Sequence, residues 1–381
     1  MTALALRVCP APHAVVPSTS ENSGSASEIP QFNRKYATVV VKMTIRWPYL
    51  IFLGDAKGEP NTKTAFGVRD WLPDETVGQA RLPGCDVDLG LPELSMAEAY
   101  ARGARSLLIG AAPVGGLMPE SWTPSLIAAL EAGLDIVSGL HTRLADIPEV
   151  TKAAARLGRT LHDVRTPTQV FTVATGRKRT GKRMLMVGTD CALGKKYAAL
   201  AIARAMVAYG VDADFRATGQ TGIMIAGDGI AIDAVVADFI AGAAEMLSPD
   251  AAETHWDVIE GQGSLFHPAY AGVTLGLLHG SQPDALVLCH HPVRQALNGY
   301  PDYPLPDLGE AMDLYLQVAQ LTNPAARFVG ISLNTSQMER GDADRLMATL
   351  TQEFGLPCFD PMRSDLSKFV DRVTEQVVPA E

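Results

Sequence analysis

Beyond residue 43 the chain alternates short apolar runs with longer amphipathic stretches, and this alternation predicts strands and helices in turn. Apolar runs at 49–53, 106–109 and 135–137 read as strands. Helical patterns at 96–102, 125–132 and 147–157 separate them, each stopped by a glycine: Gly103, Gly133 and Gly158. Strands alternating with helices predict a parallel sheet and a Rossmann-like α/β domain over residues 44–165. No G-x-G-x-x-G with its acidic partner is present, so dinucleotide binding is not supported. The alternation resumes at Met184. Strands are predicted at 184–187, 212–217, 257–260, 285–289, 328–333 and 357–359, and helices at 195–209, 233–247, 310–320, 341–354 and 364–376. In the helix at 233–247, the residues Val235, Val236, Phe239, Ile240, Ala243, Met246 and Leu247 fall at the spacing of a core-facing stripe.

Composition narrows the class. The chain of 381 residues carries a net charge of −10, which speaks against a nucleic-acid partner. No run approaches the roughly 18 apolar residues of a membrane span. The five cysteines are scattered without a C-x-x-C pair and read as reduced thiols of a cytoplasmic protein. Residues 1–43 are rich in Ser, Pro and Ala and read as a disordered leader, with Met43 as an alternative start. Residues 166–183 form a basic linker holding Arg177, Lys178, Arg179, Lys182 and Arg183. These are either a solvated turn or a clamp for a ligand phosphate.

The candidate chemistry sits where strands end, since doubly wound sheets bind ligands beyond the carboxyl ends of their strands. After the strand at 184–187 come Gly188, Thr189, Asp190, Cys191, Gly194 and Lys195, then a helix: the layout of a phosphate-binding loop. This predicts a P-loop NTPase-like parallel-sheet domain over 184–381. Two departures matter. Five residues, not four, separate Gly188 from Gly194, and Lys196 stands where a Ser or Thr would hold Mg²⁺. An ammonium only donates, so the ordinary metal contact is missing and no metal is expected. The next strand end holds Arg216 and the donor-rich run Thr218, Gly219, Gln220, Thr221 and Gly222, which either wraps an acyl or phosphate group or is a tight turn. The third holds Glu260, Gln262, Ser264 and His267, and the fourth His290, His291 and Arg294. Glu260 or His267 could act as a base, and Arg294 or Arg216 could grip a carboxylate. Asp190 would repel an anion, so it is expected to cap loop N–H groups or to pair with Lys196. The loops Gly110–Gly116 and Ser138–His141 are candidates to face the P-loop.

The segments from Gly188 to Lys195, Thr218 to Gly222, Asp233 to Asp238 and Glu260 to Ser264 together resemble a family long known only as a domain of unknown function. Its characterised members are D-glutamate N-acetyltransferases of the DgcN type, which use acetyl-CoA. The resemblance spans about residues 44–381. It implies an N-terminal Rossmann-like and a C-terminal P-loop domain, acetyl-CoA as co-substrate and transfer to the α-amino group of D-glutamate. The preference for D over L rests wholly on this resemblance. In that reading Lys195 and the P-loop hold the CoA diphosphate. Glu260 or His267 takes the proton, and Lys196 or backbone N–H groups meet the oxyanion. Arg216, Gln262, Ser264 and Arg294 are candidates for substrate binding. A small-molecule substrate and a homo-oligomer are expected. The P-loop is also similar to that of dethiobiotin synthetase, which keeps an ATP-dependent kinase or ligase as one alternative; a non-catalytic acyl-CoA-binding regulator is another.

Overall fold

The computed structural model describes residues 45–377. The leader expected over residues 1–43 lies outside the described residues. Two parallel sheets organise the rest. The first contains β1 (Tyr49–Gly54), β2 (Thr76–Arg81), β3 (Ser106–Ile109), β4 (Asp135–Ser138) and β5 (Leu161–Asp163), in the order β2-β1-β3-β4-β5. The helices α1 (Lys63–Trp71), α2 (Met96–Ala101), α3 (Thr123–Ala132) and α4 (Pro148–Leu157) lie between its strands in the chain. The second sheet contains β6 (Lys182–Gly188), β7 (Ala213–Arg216), β8 (Trp256–Ile259), β9 (Ala285–His290), β12 (Arg327–Leu333) and β13 (Cys358–Phe359). Its order is β13-β12-β9-β6-β8-β7, with a separate hairpin of β10 (Ala296–Leu297) and β11 (Tyr300–Pro304). Its helices are α5 (Lys195–Ala208), α6 (Gln220–Ala226), α7 (Ile240–Leu247), α8 (Ala271–Ser281), α9 (Leu308–Gln320), α10 (Arg340–Phe354) and α11 (Ser367–Val377).

Both strand orders reverse direction around their first strand, β1 or β6. A crevice at the carboxyl end of such a strand is where doubly wound sheets place ligands. The two sheets share one hydrophobic core, in which Leu50 and Leu107 belong to the same cluster as Met184, Ala198 and Met224. At the joint the Tyr49 hydroxyl donates to the Met224 carbonyl at 2.9 Å, and the Thr64 and Thr221 hydroxyls lie 3.0 Å apart. The Trp71 ring meets Tyr197 edge-on at 5.8 Å, and the Arg204 guanidinium stands over the Trp71 ring at 4.4 Å.

Several elements escape the hydrophobic pattern. Helix α1 contains Gly67, a weak helix former. Space explains it: a Cβ there would stand 3.0 Å from the Lys196 Nζ. The predicted helix at 233–247 is wrong over its first half. Short 3₁₀ turns occupy Ile232–Ala234 and Ala237–Phe239, and only Ile240–Leu247 is α-helical. Val235 and Val236 sit in extended backbone, as β-branched residues tolerate well, and Val236 is 67% exposed instead of in the core.

The basic linker is a fastener. Arg177 pairs with Asp250, and Lys178 donates to Asp284 at 2.7 Å. Arg179 donates to the Gly280 carbonyl at 2.8 Å, and Lys182 lies 5.6 Å from the Trp256 ring. Arg183 is buried, donating to Ser248 and to the carbonyls of Arg179, Thr180 and Pro249. These partners gather at the amino end of β6, a strand length from the P-loop, so the phosphate-clamp reading does not hold.

Candidate functional site

Following β6, the chain builds a loop braced from beneath and open above. Asp190 is fully buried. One carboxylate oxygen accepts from the Cys191 N–H at 2.6 Å; the other accepts from the Asn298 N–H at 2.8 Å and from Arg294 at 2.6 Å. Asp190 therefore caps the loop, as one alternative anticipated, but its ion-pair partner is Arg294 and not Lys196. Arg294 also donates to the Cys191 carbonyl at 2.7 Å. Its guanidinium is spent holding the loop, which takes away the carboxylate-gripping role expected of it. Thr189 bonds the His290 Nδ1 at 2.9 Å, and Tyr315 donates to the Gly188 carbonyl at 2.8 Å. Burial pushes His290 down to about 4, so it is neutral at physiological pH.

The upper side of the loop presents donors and positive charge. Among the described residues, the N–H groups of Ala192, Leu193 and Gly194 have no hydrogen-bond partner. Ala192 holds a φ of 51°, a conformation costly without glycine and typical of functional loops. Lys195 is buried and donates to the Asp190 carbonyl at 2.8 Å. Helix α5 begins there, adding the positive end of its dipole. A diphosphate would bring the negative charge and the acceptor oxygens that complement these donors.

Lys195 and Lys196 open into a cavity of about 1000 Å³ whose lining comes from both sheets. The second sheet contributes the loop residues Cys191 to Gly194, Gly219 to Thr221 beyond β7, Glu260 to Gly263 beyond β8, and Asn334 beyond β12. The first contributes Glu59, Lys63 and Phe66 beyond β1, His141 beyond β4 and Arg165 beyond β5. Both sheets thus turn the carboxyl ends of their strands to one space. Of the two loops proposed to face the P-loop, Ser138–His141 lines the cavity through His141, and among the described residues Gly110–Gly116 contributes no lining residue.

Glu260 and Lys196 both line this cavity, and each shifts the other's proton affinity. The Glu260 carboxylate accepts from the Thr218 N–H at 3.0 Å and the Gly219 N–H at 3.1 Å. Burial raises its pKa, opposed by the Lys196 charge and these N–H groups. The Lys196 ammonium makes no hydrogen bond among the described residues and stands 5.0 Å from the Tyr197 ring. Burial lowers it to about 8, with Glu260 pulling the other way. The Thr218 run serves Glu260 before it serves any ligand. Gly222 is needed because a Cβ there would lie 2.2 Å from a Glu260 oxygen. Gln262 lines the cavity and donates to the Thr218 hydroxyl at 3.1 Å.

Three further candidates lie outside the lining. His267 is buried, with Nε2 3.2 Å from the Asn298 carbonyl and Nδ1 accepting from the Ala269 N–H at 3.2 Å; both nitrogens are engaged. Ser264 is buried, its oxygen 3.3 Å from the Phe266 N–H. Arg216 turns to Asp257 at 2.5 Å and Asp214 at 3.2 Å. Asp190, Cys191 and His267 offer ligand atoms within 4.8 Å of one another. With Arg294 on the carboxylate and both imidazole nitrogens engaged, that set suits a cation poorly. The wall residues Lys63, His141 and Arg165 were missed as site residues, because only the meeting of two domains brings them to the loop.

Comparison with known proteins agrees with this architecture. A family profile described as "Domain of unknown function (DUF1611_C) P-loop domain" matches residues 172–370, and "Domain of unknown function (DUF1611_N) Rossmann-like domain" matches 80–167. A protein of Tritonibacter scottomollicae named D-glutamate N-acetyltransferase is 51% identical over 327 residues, covering 86% of this chain and 98% of the relative. One from a Pseudoalteromonas species with the same name is 47% identical over 328 residues, covering 86% and 99%. The crystal structure of a DUF1611 family protein from Anabaena variabilis matches with a TM-score of 0.76 at 34% identity, covering 87% of this chain and all of that one. The chain belongs to the DUF1611 family, a Rossmann-like domain followed by a P-loop domain.

Proposed function

We propose that this protein is an N-acetyltransferase that moves the acetyl group of acetyl-CoA to the α-amino group of D-glutamate in the cytoplasm. Two relatives bearing that name, each near half identical over almost their full length, support the activity. One observation in the site supports it independently. An anion cradle without the metal-anchoring hydroxyl opens directly onto buried Glu260 and half-buried Lys196. Such a loop can grip a diphosphate without a divalent ion, leaving the adjoining residues free for acyl transfer. The cavity is at the upper end of the roughly 300–1000 Å³ of small-ligand pockets, as two substrates require. Among the described residues no helix is long and apolar enough to cross a membrane.

In this reading acetyl-CoA supplies an activated thioester. Lys195 and the N–H groups of Ala192, Leu193 and Gly194 bind its diphosphate. Glu260, whose burial raises its proton affinity, takes the proton from the substrate ammonium. Lys196, still largely protonated at neutral pH, donates to the oxygen on which negative charge develops. With Arg294 on the loop and Arg216 on Asp257, neither is assigned to the substrate carboxylates.

Lys195→Ala should raise the KM for acetyl-CoA at least tenfold, as about 1.4 kcal/mol of lost binding would do. The KM for D-glutamate should change little. An unaltered acetyl-CoA KM would remove the diphosphate assignment.

A further inference from the structure

We propose that Lys63, on the Rossmann-like wall, binds the distal carboxylate of the amino-acid substrate, making the first domain the reader of side-chain charge. This rests on the acetyltransferase reading of the site.

Three observations carry it. Lys63 opens α1, the helix that joins the two domains, so its backbone is fixed relative to the P-loop: Thr64 bonds Thr221, and Gly67 lies against Lys196. It lines the same cavity as Lys196 and Glu260, yet among the described residues its ammonium has no hydrogen bond or ion pair. It also lies close enough to Lys196 for its charge to be among those lowering that lysine's affinity for a proton. Two ammonium groups in one cavity repel each other, and an anion between them relieves the repulsion.

The other charges of the lining are largely committed. Arg165 pairs with Asp233 at 2.6 Å and donates to Gln220 at 3.2 Å. Glu260 accepts two backbone N–H groups. Lys195 belongs to the loop. Glu59 remains as an exposed carboxylate, suited to an ammonium and not to an anion. The amine must reach Glu260, and in the same cavity Lys63 offers the substrate's far carboxylate an uncommitted ammonium.

The same positive charge could instead serve the 3′-phosphate of CoA, and the test separates the two. In the full chain, Lys63→Ala should raise the D-glutamate KM at least tenfold. The KM for acetyl-CoA should stay within twofold, as should that for D-norvaline, which keeps the carbon chain but lacks the distal carboxylate. The variant should unfold at the wild-type temperature, since Lys63 is an exposed first-turn residue. An unchanged D-glutamate KM would overturn the assignment. So would a rise in the acetyl-CoA KM that disappears with acetyl-dephospho-CoA, which would place Lys63 at the 3′-phosphate. Calorimetric binding of glutarate provides an arm independent of turnover. If the wild type released no CoA with D-glutamate, the activity reading would fall, while at least tenfold weaker glutarate binding by Lys63→Ala would still uphold the dicarboxylate wall and equal binding would end it.

Discussion

At the scale of single residues, the proposed chemistry rests on an ammonium standing where a hydroxyl would be at position 196. A Ser or Thr there would invite Mg²⁺. Lys196 instead brings a positive charge held down to about 8 by burial beside a Glu260 held up by the same cause. Opposite shifts of this kind divide acid from base within one site. The rate should then depend on pH as a bell. Its acid limb belongs to Glu260 and lies above the ordinary carboxylate range. Its alkaline limb belongs to Lys196 and lies near pH 8, because turnover needs Lys196 protonated and it loses its proton there. Lys196→Arg, which stays charged, should remove the alkaline limb even if it lowers kcat. Measured kcat against pH checks this. An alkaline limb unmoved in the arginine variant would reject Lys196 as the donor. The meeting of Lys195, Lys196 and Glu260 in one cavity, and Asp190 as a cap, were legible beforehand from residue type at a strand end. The fates of Arg294, Arg216 and His267 were not. Their residue types suit a site, but what decides is the direction in which each side chain points. Arg294 reaches the loop's own carbonyls, and His267 is held by Asn298 and Ala269.

At the scale of elements, hydrophobic periodicity located the strands of both sheets except β2 and β5. β5 spans three residues, and β2 reads Thr-Val-Gly-Gln-Ala-Arg with little alternation to detect. Helix α8 escaped for another reason. It carries Gly272, Gly276 and Gly280, which argue against a helix by propensity. Two of them exist for packing: a Cβ at Gly276 would meet the Ile240 side chain at 2.5 Å, and one at Gly280 would meet the Ala241 carbonyl at 2.2 Å. Gly272 has nothing within 4 Å. The three glycines should therefore differ in sign on substitution. Gly272→Ala should stabilise by about 0.5–1 kcal/mol, the backbone entropy glycine forfeits. Gly280→Ala should destabilise by about 1–3 kcal/mol, the cost of forcing α7 and α8 apart. Urea midpoints of the two variants decide the point, and a stabilised Gly280→Ala protein would mean the two helices are not in this contact.

At the scale of the molecule, two parallel sheets present the carboxyl ends of their strands to a shared cavity. That explains why a domain without a dinucleotide fingerprint accompanies a P-loop domain: it supplies the opposite wall. Sequence pattern established that both domains are present and left their meeting invisible, because Thr64 with Thr221 and Trp71 with Tyr197 are pairs far apart in the chain. The central claim is that this cavity joins an acetyl donor held by the P-loop to an amino acid facing the Rossmann-like wall. The most direct test is thiol release from acetyl-CoA by the pure protein, with D-glutamate, in EDTA and without nucleotide. The account predicts CoA released in step with N-acetyl-D-glutamate formed, at a rate that added ATP and Mg²⁺ leave unchanged. No thiol release under those conditions, with phosphate released from ATP once D-glutamate is added, would contradict it and return the loop to nucleotide chemistry.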